Sequence, residues 1–409
     1  MAKKPSATKR LVGLPRQVAG RIKRRLLGST SSSASTSSKT IKYAGERESL
    51  DLLIVGDTSF GENYQESREL KGRTNILKDR GYEYCLEAVA PLMDKVDLVV
   101  ANLETPLTTR EKSPLEGMRP WLHKSDPTQT IKHLSAHKVG AVKLANNHSA
   151  DYGEEGLLDT LNALAANGIP AVGAGRTLKE AQEPLQVQAR LKPPAGEGEP
   201  EKFRMRLFNA YQGGRQFTET VFEHADTDRP GSAPLKAGSL ARRIHNLKDS
   251  HPHEFVVVCP HWRRDYQWRS EKQATAAAQL MNAGADLIIG HGSHMMQEIE
   301  KIHGSWVIHG IGNFVFNSPG RYRKLEVPPY GLAARLTFSY GSALLRLYPI
   351  MLDNRRSNYQ TRPVHPGEFK DVVKQLTQRC NEPDSFAADF GHAEDEIGWH
   401  LVHQLRAPQ

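Results

Sequence analysis

The sequence predicts an α/β fold built on a mostly parallel sheet, and two patterns support this prediction. Short apolar runs of four to six residues, rich in valine and isoleucine, recur along the body of the chain, as expected of strands buried on both faces. Helical stretches, such as Glu154–Asn167 and Ser270–Ala283, separate several of these runs. Strand–helix alternation of this kind indicates that the strands run in parallel.

Each of these strands ends in a polar residue that can bind a metal ion. The residues that follow the strands are Asp57, Glu104, Asn147, His261, and the pair His291 and His294. In open α/β sheets ligands bind beyond the carboxyl ends of the strands, so these side chains should meet at one rim. The alternative, that each one is only a turn or helix-cap residue, requires a coincidence repeated at five strand ends.

The later part of the body predicts antiparallel hairpins. Residues 185–191 and 203–211 alternate in hydrophobicity around a loop rich in proline, glycine and glutamate, and residues 332–340 and 343–348 alternate around Gly341. We therefore expect a main domain over residues 47–352. The C-terminal extension, residues 353–409, is weakly patterned, and helices over residues 368–379 and 394–404 are plausible there.

Composition places few limits on this fold. The 409 residues suffice for one large α/β domain, and the hydrophobic (38%) and charged (25%) fractions are ordinary for a globular protein. The three scattered cysteines predict neither a disulfide framework nor a thiolate zinc site. No apolar run approaches the roughly 18 residues that a membrane-spanning helix needs.

The net charge of +9 is concentrated at the N-terminus. Residues 1–42 hold eleven lysines and arginines and no acidic residue, so the other 367 residues carry a net charge of about −2. A nucleic-acid-binding domain would be expected to have a basic body. The near-neutral body therefore argues against nucleic acid as a partner.

The basic N-terminal segment suggests either a disordered tail or contact with a membrane surface. Apolar residues within residues 10–27 recur at steps of three and four, which fits a short basic amphipathic helix on an anionic bilayer. A serine-rich linker follows at residues 29–39. We predict that residues 1–46 form this tail and linker. With no signal peptide apparent, we expect a cytoplasmic protein or a peripheral one at the membrane.

Several motifs occur in an order similar to that of the CapA family, which is named for capsule and poly-γ-glutamate synthesis. This family belongs to the calcineurin-like metallophosphatase superfamily. The motifs span about residues 50–352 and are Gly56-Asp57, Asn102-Leu103-Glu104, Ala145-Asn146-Asn147-His148, His261-Trp262, Gly290-His291-x-x-His294 and Gly312-Asn313-Phe314. The resemblance implies a four-layer α/β/β/α sandwich with a dinuclear metal centre.

The resemblance also assigns roles to individual residues. It implies that Asp57, Glu104, Asn147, His261, His291 and His294 hold two divalent ions, for which manganese, zinc or iron would be suitable. In metallophosphatases, the histidine equivalent to His148 protonates the leaving oxygen. Asp151 could orient that histidine or cap the following helix, and the two roles are compatible. We assign Asn102, Arg263 and Asn313 to substrate binding.

Three positions depart from the family pattern. Ser59 stands where the superfamily has a histidine, Gly292 stands where many CapA-like chains have a second histidine, and Arg263 follows His261-Trp262 in place of glycine. Asn102-Leu103-Glu104 also replaces the superfamily's bridging-aspartate motif, as it generally does in CapA-like proteins. The expected function is a metal-dependent hydrolase of a phosphoester, or of an amide bond in an envelope polymer, linked to capsule or poly-γ-glutamate synthesis. The alternative is a non-catalytic accessory protein that works with the capsule-synthesis machinery.

Overall fold

The structure is a computed structural model, and it describes residues 39–195, 198–214, 217–218 and 221–405. The amphipathic segment predicted at residues 10–27 lies outside the described residues.

The strands alternate with helices through most of the described chain. The strands are β1 (Thr40–Arg47), β2 (Ser49–Ser59), β3 (Leu98–Leu103), β4 (Val139–Lys143), β5 (Ala171–Val172), β6 (Ala174–Gly175), β7 (Leu185–Leu191), β8 (Glu201–Tyr211), β9 (Gly231–Ser232), β10 (Phe255–His261), β11 (Leu287–Ile289), β12 (Ile299–Ile302), β13 (Ser305–Ile308), β14 (Asn313–Phe316), β15 (Tyr330–Ser339), β16 (Ser342–Met351), β17 (Arg362–Pro363), β18 (Gly391–Glu394) and β19 (Trp399–Leu405).

The helices are mostly short, and a 3₁₀ turn spans Glu83–Cys85. The α-helices are α1 (Glu62–Glu69), α2 (Ile76–Arg80), α3 (Ala90–Asp94), α4 (Pro127–Ala136), α5 (Gly153–Ala166), α6 (Leu178–Gln182), α7 (Ala237–Ser250), α8 (Glu271–Asn282), α9 (Tyr322–Leu325), α10 (Asn354–Ser357), α11 (Pro366–Arg379) and α12 (Pro383–Asp389).

Two large mixed sheets contain nearly all of the strands. The first has the order β1-β7-β8-β10-β11-β13-β12, and the second has the order β18-β19-β16-β15-β2-β3-β4-β5, with β14 beside β2 and β17 beside β16. Strands β2, β3, β4 and β5 pair in parallel, as do β8, β10, β11 and β13. The predicted hairpins are confirmed as the antiparallel pairs β7/β8 and β15/β16.

The burial of alternate residues on β2 shows how the sheets are layered. Leu52 and Ile54 belong to a core formed between the two sheets, together with residues such as Val257 of the first sheet. Leu53 and Val55 point the other way, into a second core that includes Leu161 of helix α5. The two pairs of β2 side chains are completely buried, so β2 is covered on both faces.

The outer face of the first sheet is covered in the same way. Val256 and Val258 of β10 pack with Leu240 of α7 and with Ala277 and Leu280 of α8. The order of layers is therefore helix, sheet, sheet and helix. This confirms the predicted four-layer α/β/β/α sandwich.

Two predictions about the ends of the chain need correction. Residues 40–46, assigned to the tail, form β1, which pairs in parallel with β7 at the edge of the first sheet. Residues 394–404, for which a helix was plausible, contribute to β18 and β19, and β19 pairs with β16. The helix expected at residues 368–379 is confirmed as α11. The C-terminal extension thus completes the second sheet, and Leu401 and Leu405 enter the core between the sheets.

Among the described residues, no helix has both the length and the apolar composition required to cross a bilayer.

Candidate metal centre

Both sheets contribute to a single cluster of polar residues at their carboxyl ends. Asp57 lies near the end of β2, Glu104 follows β3 and Asn147 follows β4, all in the second sheet. His261 ends β10 and His291 follows β11, in the first sheet. The six predicted ligands therefore come together, with three from each sheet when His294 is counted.

Backbone hydrogen bonds at this rim join the ligand-bearing segments within each sheet. The Asp57 N–H donates to the Gly312 carbonyl at 3.1 Å, and the Trp262 N–H donates to the His291 carbonyl at 3.0 Å. A Cβ atom at Gly56 would lie only 1.9 Å from the Gly312 oxygen. Glycine is therefore required before Asp57, because a side chain there would push the two segments apart.

The histidines surround the two acidic residues at distances suited to a shared cation. His294 Nδ1 lies 3.4 Å from Asp57 Oδ2, and His291 Nδ1 lies 3.9 Å from Asp57 Oδ1. His261 faces both acids, with Nδ1 4.0 Å from Asp57 Oδ1 and Nε2 3.9 Å from Glu104 Oε1. Ligand atoms of Asp57, Glu104 and His294 all lie within 4.8 Å of one another.

Several buried polar atoms of this cluster have no hydrogen-bond partner among the described residues. They are Asp57 Oδ2, Asn102 Oδ1, Glu104 Oε1, Glu104 Oε2 and His291 Nδ1. Buried polar groups in proteins are almost always paired, so a concentration of unpaired ones needs a physical reason. Carboxylate oxygens and imidazole nitrogens are the ligands that manganese, iron and zinc accept, and the residues therefore fit a divalent metal site.

The pKa values of the two acids move in opposite directions. Burial would raise the pKa of Asp57, but the close contact with His294 and the other neighbouring histidines lower it overall. Burial raises the pKa of Glu104 well above its usual range, and the nearby charge of Asp57 raises it further. A cation beside Glu104 would offset the free-energy cost of ionising this buried carboxyl group.

Two of the histidines are held in the form that binds metals. Burial lowers the pKa of His261 to about 4, and burial together with the charge of Lys143 lowers the pKa of His291 well below its usual value. Both imidazoles are therefore neutral at pH 7 and keep a lone pair. For His294 burial acts in the same direction, but the contacts with Asp57 and Glu104 raise its pKa overall.

Three asparagines contact other residues of the cluster, and one of them, Asn147, is itself a predicted ligand. Asn102 Nδ2 donates to Asp57 Oδ1 at 2.8 Å, Asn313 Oδ1 lies 2.8 Å from His294 Nδ1, and Asn147 Oδ1 lies 2.8 Å from His261 Nε2. Asn102 and Asn313, which we had assigned to substrate binding, are buried behind the ligands. The structure therefore gives them a supporting position, of the kind that tunes a metal ligand.

A buried lysine that the sequence analysis did not single out lies beneath the cluster. Lys143 Nζ is 2.8 Å from His291 Nε2 and 3.2 Å from the Val55 carbonyl, and its side chain has no exposure to solvent. Burial lowers the pKa of Lys143 to about 8. The contact with Nε2 leaves Nδ1 as the nitrogen of His291 that faces Asp57.

His148 is oriented toward the same cluster by Asp151. His148 Nδ1 lies 2.7 Å from Asp151 Oδ2, and His148 Nε2 lies 3.9 Å from Glu104 Oε1. Asp151 also accepts a hydrogen bond from Arg119 at 2.7 Å. The residue before α5 makes no side-chain cap bond, and Asp151 is turned away from the helix. Of the two roles considered for Asp151, the structure places it to orient His148.

One further histidine of the site was not predicted. His123, in the long connection between β3 and α4, stacks on His148 with ring centroids 3.5 Å apart and planes 9° apart. The only hint in the sequence was its position in the segment Trp121-Leu122-His123, which could have covered the site or simply packed. His309, in contrast, is buried against Glu300 and outside the cluster.

A cavity of about 680 Å³ opens above the cluster. His148 and Asn147 lie on its wall, Trp121 and Phe217 line it with partly exposed rings, and Arg263 and Arg321 are exposed on it. Among the described residues, neither Arg263 nor Arg321 lies within 4.0 Å of a carboxylate. Arg263, predicted to bind substrate, is thus free to contact an anion that enters the cavity.

The sequence was compared with known families and proteins. The model of a family described as "Bacterial capsule synthesis protein PGA_cap" matches residues 51–318. The chain belongs to this family. The match includes all six predicted ligands, His148 and Asp151.

Curated relatives cover most of the chain at modest identity. The chain is 27% identical to "Capsule biosynthesis protein CapA" of Bacillus anthracis, over 88% of this chain and 79% of the relative. It is also 27% identical to "PGA biosynthesis protein CapA" of Bacillus subtilis, over 84% of this chain and 83% of the relative. A probable polyglutamine synthesis accessory protein of Mycobacterium tuberculosis is 29% identical over 57% of this chain and 60% of its own length.

The three departures from the family pattern have clear structural settings. Ser59 is buried, and its hydroxyl accepts the Gly61 N–H at 3.2 Å. Gly292 has φ of 86°, and a Cβ atom there would lie 2.3 Å from the Trp262 carbonyl and 2.8 Å from the His261 ring. A second histidine could therefore not occupy position 292 without displacing His261. Arg263 faces the cavity instead of the cluster.

Proposed function

We propose that this protein is a metal-dependent hydrolase that cleaves an anionic ester or amide during capsule or poly-γ-glutamate synthesis. The main support is the set of unpaired carboxylate oxygens and imidazole nitrogen that converge beside His148. The family match and the names of the Bacillus relatives support the biosynthetic setting.

The cluster has enough donors for two divalent ions. Glu104 is our candidate for the bridging carboxylate because both of its oxygens are unpaired and it faces His261 as well as Asp57. Asp57, Asn147, His261, His291 and His294 would complete the ligand set. Divalent ions bound there would polarise the scissile group and activate a water molecule.

His148 is positioned to move a proton. Its Nδ1–H donates to Asp151, so the free nitrogen is Nε2, which points toward Glu104 and the cavity. Burial lowers the pKa of His148 well below its usual value, so Nε2 carries no proton at pH 7. Nε2 would accept a proton from the attacking water and deliver it to the oxygen or nitrogen that leaves. Burial raises the pKa of Asp151 to about 6, even though Arg119 opposes this effect, so Asp151 is mostly ionised at pH 7 and can hold the His148 ring.

The cavity wall holds two exposed arginines that could bind an anionic substrate, beside two acids, Glu223 and Asp265. Arg263 and Arg321 present guanidinium groups to the cavity, where a carboxylate or a phosphate could be bound by two parallel hydrogen bonds. Trp121 and Phe217 add apolar surface beside them. A small phosphoester or a segment of an anionic envelope polymer would satisfy both features.

A second candidate is a non-catalytic accessory protein of the same biosynthetic process. The word "accessory" in the name of the mycobacterial relative favours it, as does the glycine at position 292. In that case the metal centre would stabilise the fold or bind an anionic polymer without cleaving it. Metal content and turnover together separate the two candidates.

The test compares wild type with Glu104→Gln and His291→Ala. Metal content is measured by plasma mass spectrometry after growth with manganese, zinc or iron, and hydrolysis is measured on an aryl phosphate monoester, an aryl phosphate diester and poly-γ-glutamate. Glu254→Gln is the matched control, because Glu254 is a buried acid bound to Arg206 and outside the cluster.

We expect about two metal ions per wild-type chain, and loss of metal and of hydrolysis in both cluster variants but not in the control. Metal bound without turnover on any substrate would favour the accessory protein. No metal in wild type under any growth condition would overturn the proposal.

A further inference from the structure

His123 stacks directly on the ring of His148. The two imidazole rings are nearly parallel, with centroids 3.5 Å apart and an angle of 9° between their planes. Both side chains are buried. His148 therefore cannot tilt toward His123 without overlapping its ring.

Both ring nitrogens of His123 are fixed by neighbours. Nδ1 lies 2.9 Å from the backbone carbonyl oxygen of Glu104, which can only accept, so Nδ1 carries the proton. Nε2 is then an acceptor, and it lies 3.0 Å from the Tyr64 hydroxyl, which donates to it. The His123 ring is thus locked in one orientation and one tautomer.

The main chain of His123 reaches the partner of His148. The His123 N–H donates to Asp151 Oδ2 at 2.6 Å, and the same oxygen accepts the His148 Nδ1–H at 2.7 Å. His123 consequently contacts the His148 ring, the carboxylate that orients it, and the backbone of Glu104. Among the described residues, Asn146 and Asp151 also bond to His148, but neither makes all three contacts.

We propose that His123 is a positioning residue, which fixes the plane of the His148 ring so that Nε2 faces the reacting group. This inference rests on the proposed hydrolase function. His123 itself does not touch the cavity, so it acts only through His148. Removing the ring would leave His148 bonded to Asp151 but free to tilt out of line with the leaving atom.

The role can be separated from simple packing by the choice of leaving group. A 4-nitrophenolate leaves readily without a proton, whereas an alkoxide needs one. A positioning defect should therefore slow cleavage of an alkyl phosphate far more than cleavage of 4-nitrophenyl phosphate. A general loss of folded or metal-loaded protein would slow both equally.

The experiment uses the full chain, loaded with metal, in three variants. His123→Ala removes the stacked ring, and His123→Phe restores a flat ring without its nitrogens. His400→Ala is the matched control, because His400 is a buried histidine whose Nδ1 contacts a backbone carbonyl and whose ring packs on Tyr348, in β19 away from the cluster. Metal content is measured for each.

For His123→Ala we expect kcat to fall at least roughly 30-fold on the alkyl phosphate and less than about 3-fold on the nitrophenyl ester, with metal content unchanged. His123→Phe should recover part of the loss, and His400→Ala should match wild type on both substrates. Equal losses on both substrates, or no loss on either, would overturn the inference.

A second readout does not depend on turnover. In metal-free protein labelled with ¹⁵N-histidine, the His148 resonances, assigned by His148→Gln, should show one tautomer with the proton on Nδ1. His123→Ala should leave the proton on Nδ1 but broaden the His148 ring resonances, because the ring then samples several tilts, and line widths equal to those of wild type would overturn the inference. Absence of metal-dependent hydrolysis in wild type would instead count against the proposed function alone, and the resonances would still decide the role of His123.

Discussion

At the scale of single residues, the two buried acids differ because of what surrounds them. Asp57 accepts a hydrogen bond from Asn102 and lies among histidines, so its negative charge is stabilised by the protein. Glu104 receives no hydrogen bond at either oxygen from the described residues. The chain alone therefore favours the protonated form of Glu104, and a bound cation would stabilise the ionised form.

Lys143 is a fixed positive charge in the same region. Its ammonium group is completely buried, and its neighbours are a carbonyl and an imidazole instead of a carboxylate. Burial lowers its pKa from 10.5 to about 8, which means that folding favours the neutral form. Below the folded-state pKa the protonated lysine destabilises the fold, and this cost disappears as pH rises toward the pKa of the unfolded chain.

Lys143→Met should therefore stabilise the metal-free protein at pH 7, by an amount on the order of 3 kcal/mol. The stability of wild type should rise as pH passes through about 8, so the advantage of the variant should shrink by about 2 kcal/mol between pH 7 and about pH 9.5. Urea unfolding in the presence of a chelator, at both pH values, measures the difference.

Lys370→Met is the control for this comparison, because Lys370 is exposed on α11 and its removal should alter neither stability nor the pH dependence. A Lys143→Met advantage that stays constant between the two pH values would show that the buried ammonium is not the source of the effect.

The residues that could be predicted from sequence are those whose position follows from the end of a strand. Asp57, Glu104 and His261 each end or follow an apolar run, so parallel pairing brings them to one rim. Lys143 is the last residue of such a run and gave no signal, because one polar residue within a strand pattern is not informative. His123 is placed by the packing of a long connection, and hydrophobic periodicity does not predict where the residues of such a connection lie.

At the scale of elements, the connection from β11 to β12 carries two of the proposed ligands and depends on its glycines. Gly290 packs against the His309 carbonyl, and Gly292 packs against Trp262 and the His261 ring. Gly292 also has φ of 86°, a conformation that side chains disfavour. The glycines allow His291 and His294 to approach His261 as closely as they do.

Gly292→Ala should destabilise the protein by roughly 3 kcal/mol, of which about 1 kcal/mol is backbone strain and the rest is collision with Trp262 and His261. It should also lower the metal content. The measurement is urea unfolding together with plasma mass spectrometry.

Gly341→Ala separates strain from collision. Gly341 also has positive φ, in the turn between β15 and β16, but a Cβ atom there would meet nothing within 4 Å. It should therefore cost only about 1 kcal/mol and leave the metal content unchanged. Equal costs for the two substitutions would show that the close packing at Gly292 is not important.

The two errors in the sequence analysis at this scale have different causes. Ile397, Leu401 and Leu405 recur at steps of four, a spacing that is compatible with a helix. Gly398 interrupts the segment, however, and pairing with β16 stabilises a strand instead. β1 has mostly exposed or half-exposed residues, so it shows no apolar run. It forms because β7 offers an open edge, a tertiary effect that local sequence does not report.

At the scale of the whole molecule, the candidate metal centre joins the two sheets of the sandwich. Asp57, Glu104 and Asn147 come from the second sheet, and His261 and His291 come from the first. Ions held between these side chains would link the two sheets at the rim, in addition to the apolar core between them. Metal binding should therefore stabilise both sheets together.

Addition of manganese or zinc to the metal-free protein should accordingly raise Tm by a few degrees, because a ligand at 100 times its Kd adds about 2.7 kcal/mol to stability. Asp57→Asn should lose the increase, whereas Asp384→Asn, at an exposed position on α12, should keep it.

Hydrogen exchange shows which parts of the protein the metal stabilises. The Glu104 amide, bonded to Thr58 in the second sheet, and the Trp262 amide, bonded to His291 in the first, should both exchange more slowly with metal bound. Slower exchange in only one sheet would show that the ions are held by that sheet alone, and the ligand set drawn from both sheets would then be wrong.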